Sequence, residues 1–192
     1  SSFIHKQDDS SANFRFTYKA ARFEEWWLLD SLGDFYEHQW ISDVLGKIKG
    51  GKEASVYLCR AGNAISGGEL VAAKVYRPRT LRNLKNDARY REGRAELDAE
   101  GRVIVDDGAL HAVAKRSAYG EEVRHQSWIA YEYTSLQALY DAGADVPRPF
   151  ASAENAILMD YVGEVGLAAP ALSEISLERD QARVLFDRVV HN

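Results

Sequence analysis

Three features able to do chemistry follow one another in a fixed order along this chain. The turn Gly50-Gly51-Lys52-Glu53-Ala54-Ser55-Val56-Tyr57 opens a β-like run, Lys74 stands inside a second run, Ala72-Ala73-Lys74-Val75-Tyr76, and Glu132 falls on the apolar face of a helical stretch. An ammonium or carboxylate is costly to bury without a partner of opposite sign, and Lys74 and Glu132 are the natural pair. A lysine held in this way presents its ammonium to an anion, and a glycine turn lets backbone N–H groups approach phosphate oxygens closely. Taken singly, the turn also fits an ordinary hairpin, the lysine a rim residue with a packed stem, and the glutamate a helix boundary position. Their order, with two further strands after the helix, is what points to phosphate chemistry.

The elements that must position these groups are legible from periodicity. From Lys19 to Leu45, Phe23, Trp26, Trp27, Leu29, Leu32, Phe35, Tyr36, Ile41 and Val44 recur at helical spacing, and Gly33 predicts a division into two helices. Three of the four tryptophans lie in this stretch, and they read as packing residues that anchor a helical extension. The runs Ala54–Arg60 and Glu69–Tyr76, joined by the Gly-, Asn- and Ser-containing Ala61–Gly68, predict a hairpin. Alternation in the second run puts Leu70, Ala72, Lys74 and Tyr76 on one face. Residues 97–126 show no sustained period and predict a mobile insertion that starts at about residue 77. A helix is expected from Trp128 to Tyr140, ended by Gly143, with Glu132 four residues from both Trp128 and Leu136. Strands at Phe150–Ser152 and Ala156–Val162, a linker at Gly163–Ala171 and a helix from near Ser176 complete the expected order.

Bulk composition narrows the function classes. The formal net charge of -5 and pI near 5.6 argue against a protein that coats nucleic acid or an anionic membrane over its whole surface. Cys59 is the one cysteine, which excludes an internal disulfide and a multi-thiolate zinc site and fits a reducing compartment, so a cytoplasmic location is expected. The five histidines lack ligand-like spacing, so no metal ligands are assigned within the chain. No apolar run approaches the roughly 18 residues of a membrane span.

The motifs resemble those of the RIO-type serine/threonine protein kinases. Gly50-Gly51-Lys52-Glu53-Ala54-Ser55-Val56-Tyr57 is similar to the family's shortened phosphate loop, Ser/Gly-x-Gly-Lys-Glu-Ala-x-Val-Tyr. Ala73-Lys74-Val75-Tyr76 resembles its strand lysine motif, and Trp128-Ile129-Ala130-Tyr131-Glu132 its Trp-Ala-x-x-Glu helix. Ile157-Leu158-Met159-Asp160-Tyr161-Val162-Gly163 is similar to its hinge. The resemblance implies an α+β fold: a protein-kinase-like N-lobe, with an antiparallel sheet and a glutamate-bearing αC-type helix, at residues 41–163. A helical extension would precede it at 1–40, and the hinge linker and first helix of a truncated C-lobe would follow at 164–192. It implies ATP as ligand, with Lys74 and Glu132 as the catalytic pair and Gly50, Gly51, Lys52, Glu53 and Ala54 over the phosphates. Val56 and Ala72 would contact the adenine ring, Met159 would be the gatekeeper, and the Asp160 carbonyl and Val162 N–H would hold the adenine edge.

In the family the helix that starts near Ser176 leads to a catalytic loop, His-x-Asp-Leu-Ser-x-x-Asn, whereas this chain ends at His191-Asn192. The expectation is therefore a fragment, inactive alone, of a kinase or ATPase whose Mg2+ ligands lie beyond Asn192. A non-catalytic nucleotide- or partner-binding module is the alternative. The basic cluster Arg77, Arg79, Arg82, Lys85, Arg89, Arg91 and Arg94 reads as a solvated helix face, with Asp87, Glu92 and Glu96 interleaved. The resemblance makes ribosome or RNA contact through Arg77–Arg94 the competing reading. An N-terminal extension without a winged-helix pattern suggests a bacterial-type member. The protein substrate is not legible from the sequence.

Overall fold

The computed structural model describes residues 14–66, 68–78, 93–164 and 166–192. Helix α1 (Arg22–Glu37) leads into strands β1 (Ile41–Gly50), β2 (Ala54–Ala61) and β3 (Leu70–Tyr76). Helices α2 (Asp107–Ala114) and α3 (Ala118–Asp141) follow, then β4 (Pro149–Ser152) and β5 (Ala156–Asp160). The chain closes with the two-residue strands β6 (Gly163–Glu164) and β7 (Leu167–Ala168), a 3-10 turn at Leu172–Glu174, and α4 (Arg179–His191). The main sheet is antiparallel in the order β1-β2-β3-β5-β4.

One face of this sheet is closed by α1. Leu28, Leu32 and Phe35 pack with Ile41, Val44, Tyr57, Cys59, Val71, Ala73, Val75 and Leu158 in a single cluster. Burial without polar partners makes this packing the main support of the helix, which has neither a side-chain N-cap hydrogen bond nor a basic last turn. Polar links between α1 and the sheet include Glu24, which accepts from Tyr57 Oη at 2.6 Å and from Lys47 Nζ at 3.1 Å, and Trp27, whose Nε1 donates to Tyr76 O at 2.8 Å.

Two expectations for this region are corrected. Helix α1 runs unbroken through the buried Gly33, because the packing of Leu28, Leu32 and Phe35 outweighs the roughly 1 kcal/mol that glycine costs a helix. Ile41 and Val44 belong to a strand, not to a second helix. The reversal at residues 38–40 is made by Gln39 at φ 59 and by the Trp40 N–H, which donates to Phe35 O at 2.8 Å. Of the tryptophans, Trp27 and Trp40 pack against the core, whereas Trp26 is 57% exposed.

The segment read as a mobile insertion is also corrected where it is described. Leu97 pairs with Val103 in an isolated bridge, α2 begins after the N-cap Asp106, and α3 starts at Ala118, ten residues before the expected position. Asp106 accepts from Ala109 N–H and Ser117 from Gly120 N–H, the capping chemistry that frees a helix start from solvent. Gly120 allows the two helices to cross, since a Cβ there would lie 2.0 Å from Ala112 O. Arg79, Arg82, Lys85, Arg89 and Arg91 of the basic cluster lie outside the described residues. Among the described residues no helix is long and apolar enough to cross a membrane.

Candidate functional site

Strand register assembles the site on the sheet face opposite α1. Val56 stands opposite Lys74, Ala72 opposite Met159, and Lys74 opposite Ile157. Directly opposed residues of antiparallel strands share a face, so Val56, Ala72, Lys74, Ile157 and Met159 form one surface. Helix α3 covers one end of it, where Ile129 packs with Tyr76 and Ile157. The next turn of α3 brings Glu132 over Lys74.

There the Lys74 ammonium meets Glu132 Oε2 at 2.5 Å, with the two side chains about one-third exposed. The same oxygen accepts Tyr76 Oη at 2.8 Å. Lys74 Nζ also lies 5.1 Å from the centroid of the Tyr76 ring. A cavity of about 360 Å³ opens beside the pair, lined by Lys74, Glu132, Arg94, Trp128, Leu136 and Met159 among others. The Arg94 guanidinium stacks 5.2 Å from the Tyr131 ring, and Tyr131 Oη fixes the backbone there by donating to Ala95 O at 2.7 Å. Two cations against one carboxylate leave the cavity mouth with an excess of positive charge, which suits an anionic ligand.

Gly50, Gly51, Lys52, Glu53 and Ala54 form the β1–β2 turn. The Gly51 N–H donates to Ala54 O at 2.8 Å, and Arg77 N–H to Glu53 O at 2.8 Å, so the turn is tied to the exit of β3. Glycine is required at 51, where a Cβ would stand 2.8 Å from Ala54 O. The side chains of Lys52 and Glu53 are exposed. Asp160 closes β5: its N–H donates to Arg148 O at 2.9 Å and its carboxylate accepts Arg148 N–H at 3.0 Å. Val162, 58% exposed, has its carbonyl engaged by Ala169 N–H at 3.0 Å. Asp160 and Val162 border a second cavity, of about 900 Å³, whose far wall is Leu185, Arg188 and Val189 of α4. Arg188 reaches back across it to form a paired contact with the Asp145 carboxylate.

Each residue expected at the nucleotide site lies among the described residues, and Lys74, Glu132, Ala72, Val56 and Met159 are brought to one surface. Tyr76, Arg94 and Tyr131 were not foreseen as site residues. Tyr76 carries a signal in hindsight, since it alternates onto the Lys74 face; Arg94 carries none, because a loop decides where it lies. Among the described residues no group of three or more His, Cys, Asp or Glu side chains could hold a metal ion.

The RIO domain family model matches residues 55–192. The chain belongs to the RIO domain family. Its sequence is similar to the RIO-type serine/threonine-protein kinase Rio1 of Thermoplasma acidophilum, 26% identical over 136 residues, which are 67% of this chain and 63% of that protein. It is 31% identical over 137 residues to the Rio1 of Haloferax volcanii, covering 71% of this chain and 39% of the relative. Human serine/threonine-protein kinase RIO1 is 24% identical over 156 residues, 78% of this chain and 23% of that protein. The chain therefore spans less than two-thirds of the length of these relatives. Among solved structures, the Rio2 kinase–ADP/Mg2+–phosphoaspartate complex from Chaetomium thermophilum superposes with a TM-score of 0.50 at 17% identity, over 95% of this chain and 47% of that one. That likeness shows the fold, a kinase-like N-lobe of mixed α+β type built on the five-stranded antiparallel sheet, with α1 on one face and α3 on the other.

Proposed function

We propose that this part of the RIO domain grips ATP for a RIO-type serine/threonine kinase or ATPase. The observation that carries the reading is the Lys74–Glu132 contact of 2.5 Å on the same sheet face as Val56, Ala72 and Met159. The residues fit the nucleotide: an ammonium fixed by a carboxylate for the phosphates, a glycine turn that leaves no Cβ in the way, and small or apolar side chains for a flat base. When bound, ATP supplies the transferable phosphoryl group. Lys74 would then neutralise charge on the α- and β-phosphates while Glu132 keeps the ammonium from swinging away. The Gly50–Ala54 turn would close over the phosphates, Val56 and Ala72 would sit against the adenine ring, and Met159 would bound the pocket. The Asp160 carbonyl and the Val162 N–H would define the edge of the base.

We assign residues 1–192 nucleotide binding and positioning, and assign no phosphate acceptor or Mg2+ ligand among them. The cytoplasm is the proposed location, and the protein substrate and any ribosomal or RNA partner are left unassigned.

The test is ATP binding to the complete protein by calorimetry. Lys74→Ala is expected to weaken binding by about tenfold or more, as loss of a charged hydrogen-bonding group does, and Lys52→Ala by about twofold at most. Equal effects would show that Lys74 holds no special place.

A further inference from the structure

Tyr76 touches both members of the ion pair. Its hydroxyl donates to Glu132 Oε2 at 2.8 Å, the oxygen that Lys74 also uses, and its ring lies 5.1 Å from the Lys74 ammonium. The tyrosine is fully buried, at 0% exposure, and its ring meets Trp128 edge to face at 4.9 Å and 71°. Trp128 and Glu132 lie four residues apart on one stripe of α3, so one helix face supplies both the ring that packs Tyr76 and the carboxylate that takes its proton donor. The backbone of Tyr76 is held from the other side of the sheet: Trp27 Nε1 of α1 donates to Tyr76 O at 2.8 Å.

A one-third exposed ion pair has little hold on its own geometry, because water competes for both charges and two flexible side chains must be ordered. A buried, two-sided tyrosine removes that freedom from the carboxylate. We propose that Tyr76 is the positioning residue of the Lys74–Glu132 pair, and that Trp27 anchors Tyr76 so that the N-terminal helix takes part in forming the site. This inference rests on the reading of Lys74 and Glu132 as the nucleotide-gripping pair, and goes beyond it in making a hydroxyl and a distant helix part of the same device. The chain of contacts is Trp27 to the Tyr76 carbonyl, the Tyr76 hydroxyl to Glu132, and Glu132 to Lys74.

The test uses the complete protein with Tyr76→Phe, which keeps the ring and removes the hydroxyl, and Trp27→Phe, which removes the indole N–H donor together with part of the ring's packing volume. The first readout needs no nucleotide: the acetylation rate of Lys74 with acetic anhydride at fixed pH, relative to exposed Lys115, by peptide mass mapping. With the carboxylate released, Lys74 is expected to react about three- to tenfold faster in Tyr76→Phe, the scale of one hydrogen bond to a charged group, and less markedly so in Trp27→Phe. Tyr76→Phe should weaken ATP binding in the same direction, and should add nothing in a Glu132→Ala background, because its effect runs through that carboxylate. An unchanged Lys74 rate in Tyr76→Phe, or an equal effect of Tyr76→Phe with Glu132 removed, overturns the proposal. If Lys74→Ala leaves ATP affinity unaltered, the nucleotide reading falls and the acetylation rates alone decide the role of Tyr76.

Discussion

The Glu132 carboxylate and the Lys74 ammonium lie 58 residues apart in sequence and 2.5 Å apart in space. Nothing local holds them together: one belongs to the third strand of the sheet, the other to the middle of a 24-residue helix. The pair is therefore a reporter of how α3 is seated on the sheet, and its chemistry depends on that seating.

Glu132→Gln keeps the shape of the side chain and its ability to accept from Tyr76 but removes the charge that fixes Lys74. In the complete protein, turnover is expected to fall by about tenfold or more while ATP affinity changes by about threefold or less, the pattern of an interaction that matters more in the transition state than in binding. Steady-state kinetics beside equilibrium binding separates the two. An unaltered turnover number would take Glu132 out of the mechanism.

The glycine turn can be probed by adding one methyl group. Gly51→Ala would place a Cβ 2.8 Å from Ala54 O, whereas Gly46→Ala meets nothing within 4 Å. Overpacking against backbone costs about 1 to 3 kcal/mol, so Gly51→Ala should lower stability and weaken ATP binding, with Gly46→Ala close to the parent in binding. Urea unfolding with parallel binding isotherms measures both, and indistinguishable variants would mean that the turn yields easily.

Helix α1 is predicted to be part of the folding core and not an appendage. Leu32 is 0% exposed and packs with the sheet, so Leu32→Ala should cost about 2 to 5 kcal/mol, while Trp26→Ala, at a 57% exposed position, should cost about 0.5 kcal/mol or less. A single transition shifted to lower denaturant, with helix and sheet unfolding together in Leu32→Ala, would bear this out; a sheet that unfolds at the parent denaturant concentration would contradict it.

The acidic groups around α1 predict opposite pH behaviour. Burial alone would raise the Glu24 carboxyl, but hydrogen bonds from Tyr57 and Lys47 outweigh it and hold the group below its ordinary value of 4.5. A depressed folded-state value means that the stabilisation is present above the unfolded value and is lost as pH falls through the folded one. Glu24→Gln should therefore cost about 1 to 2 kcal/mol at pH 7, with the difference from the parent shrinking as pH falls below 4.5.

Glu154 behaves in the reverse sense. Desolvation, with the charges of Glu122 and Asp30 nearby, raises its carboxyl above 4.5. Ionised at neutral pH it works against the fold, so Glu154→Gln should unfold at a higher temperature than the parent at pH 7, and the gain should vanish as pH falls through the unfolded value. Thermal unfolding at a series of pH values checks both carboxylates in one experiment, and a Glu154→Gln variant less stable than the parent at pH 7 would refute the assignment.

The sequence by itself determined the features whose causes are local. Alternation in Leu70–Tyr76 placed Lys74 on the face shared with Ala72, four-residue spacing put Glu132 on the stripe of Trp128, and Gly143, at φ +82, ends α3 within two residues of the helix. Tertiary structure decided the rest. Ile41 and Val44 are three apart, a spacing that fits a helix, yet both are buried in a strand because register shifts between Ile41 and Asp43 and again after Val44 turn the chain relative to β2. A β-bulge of this kind exists only against a partner strand and leaves no local period. Likewise the pairing of β3 with β5 set Met159 beside Ala72, and the seating of α3 and α1 on opposite faces of the sheet brought Glu132 and Trp27 to the two ends of Tyr76. Such contacts are fixed by which surfaces bury one another, and that choice is made between segments far apart in the chain, where no pattern along the sequence records it.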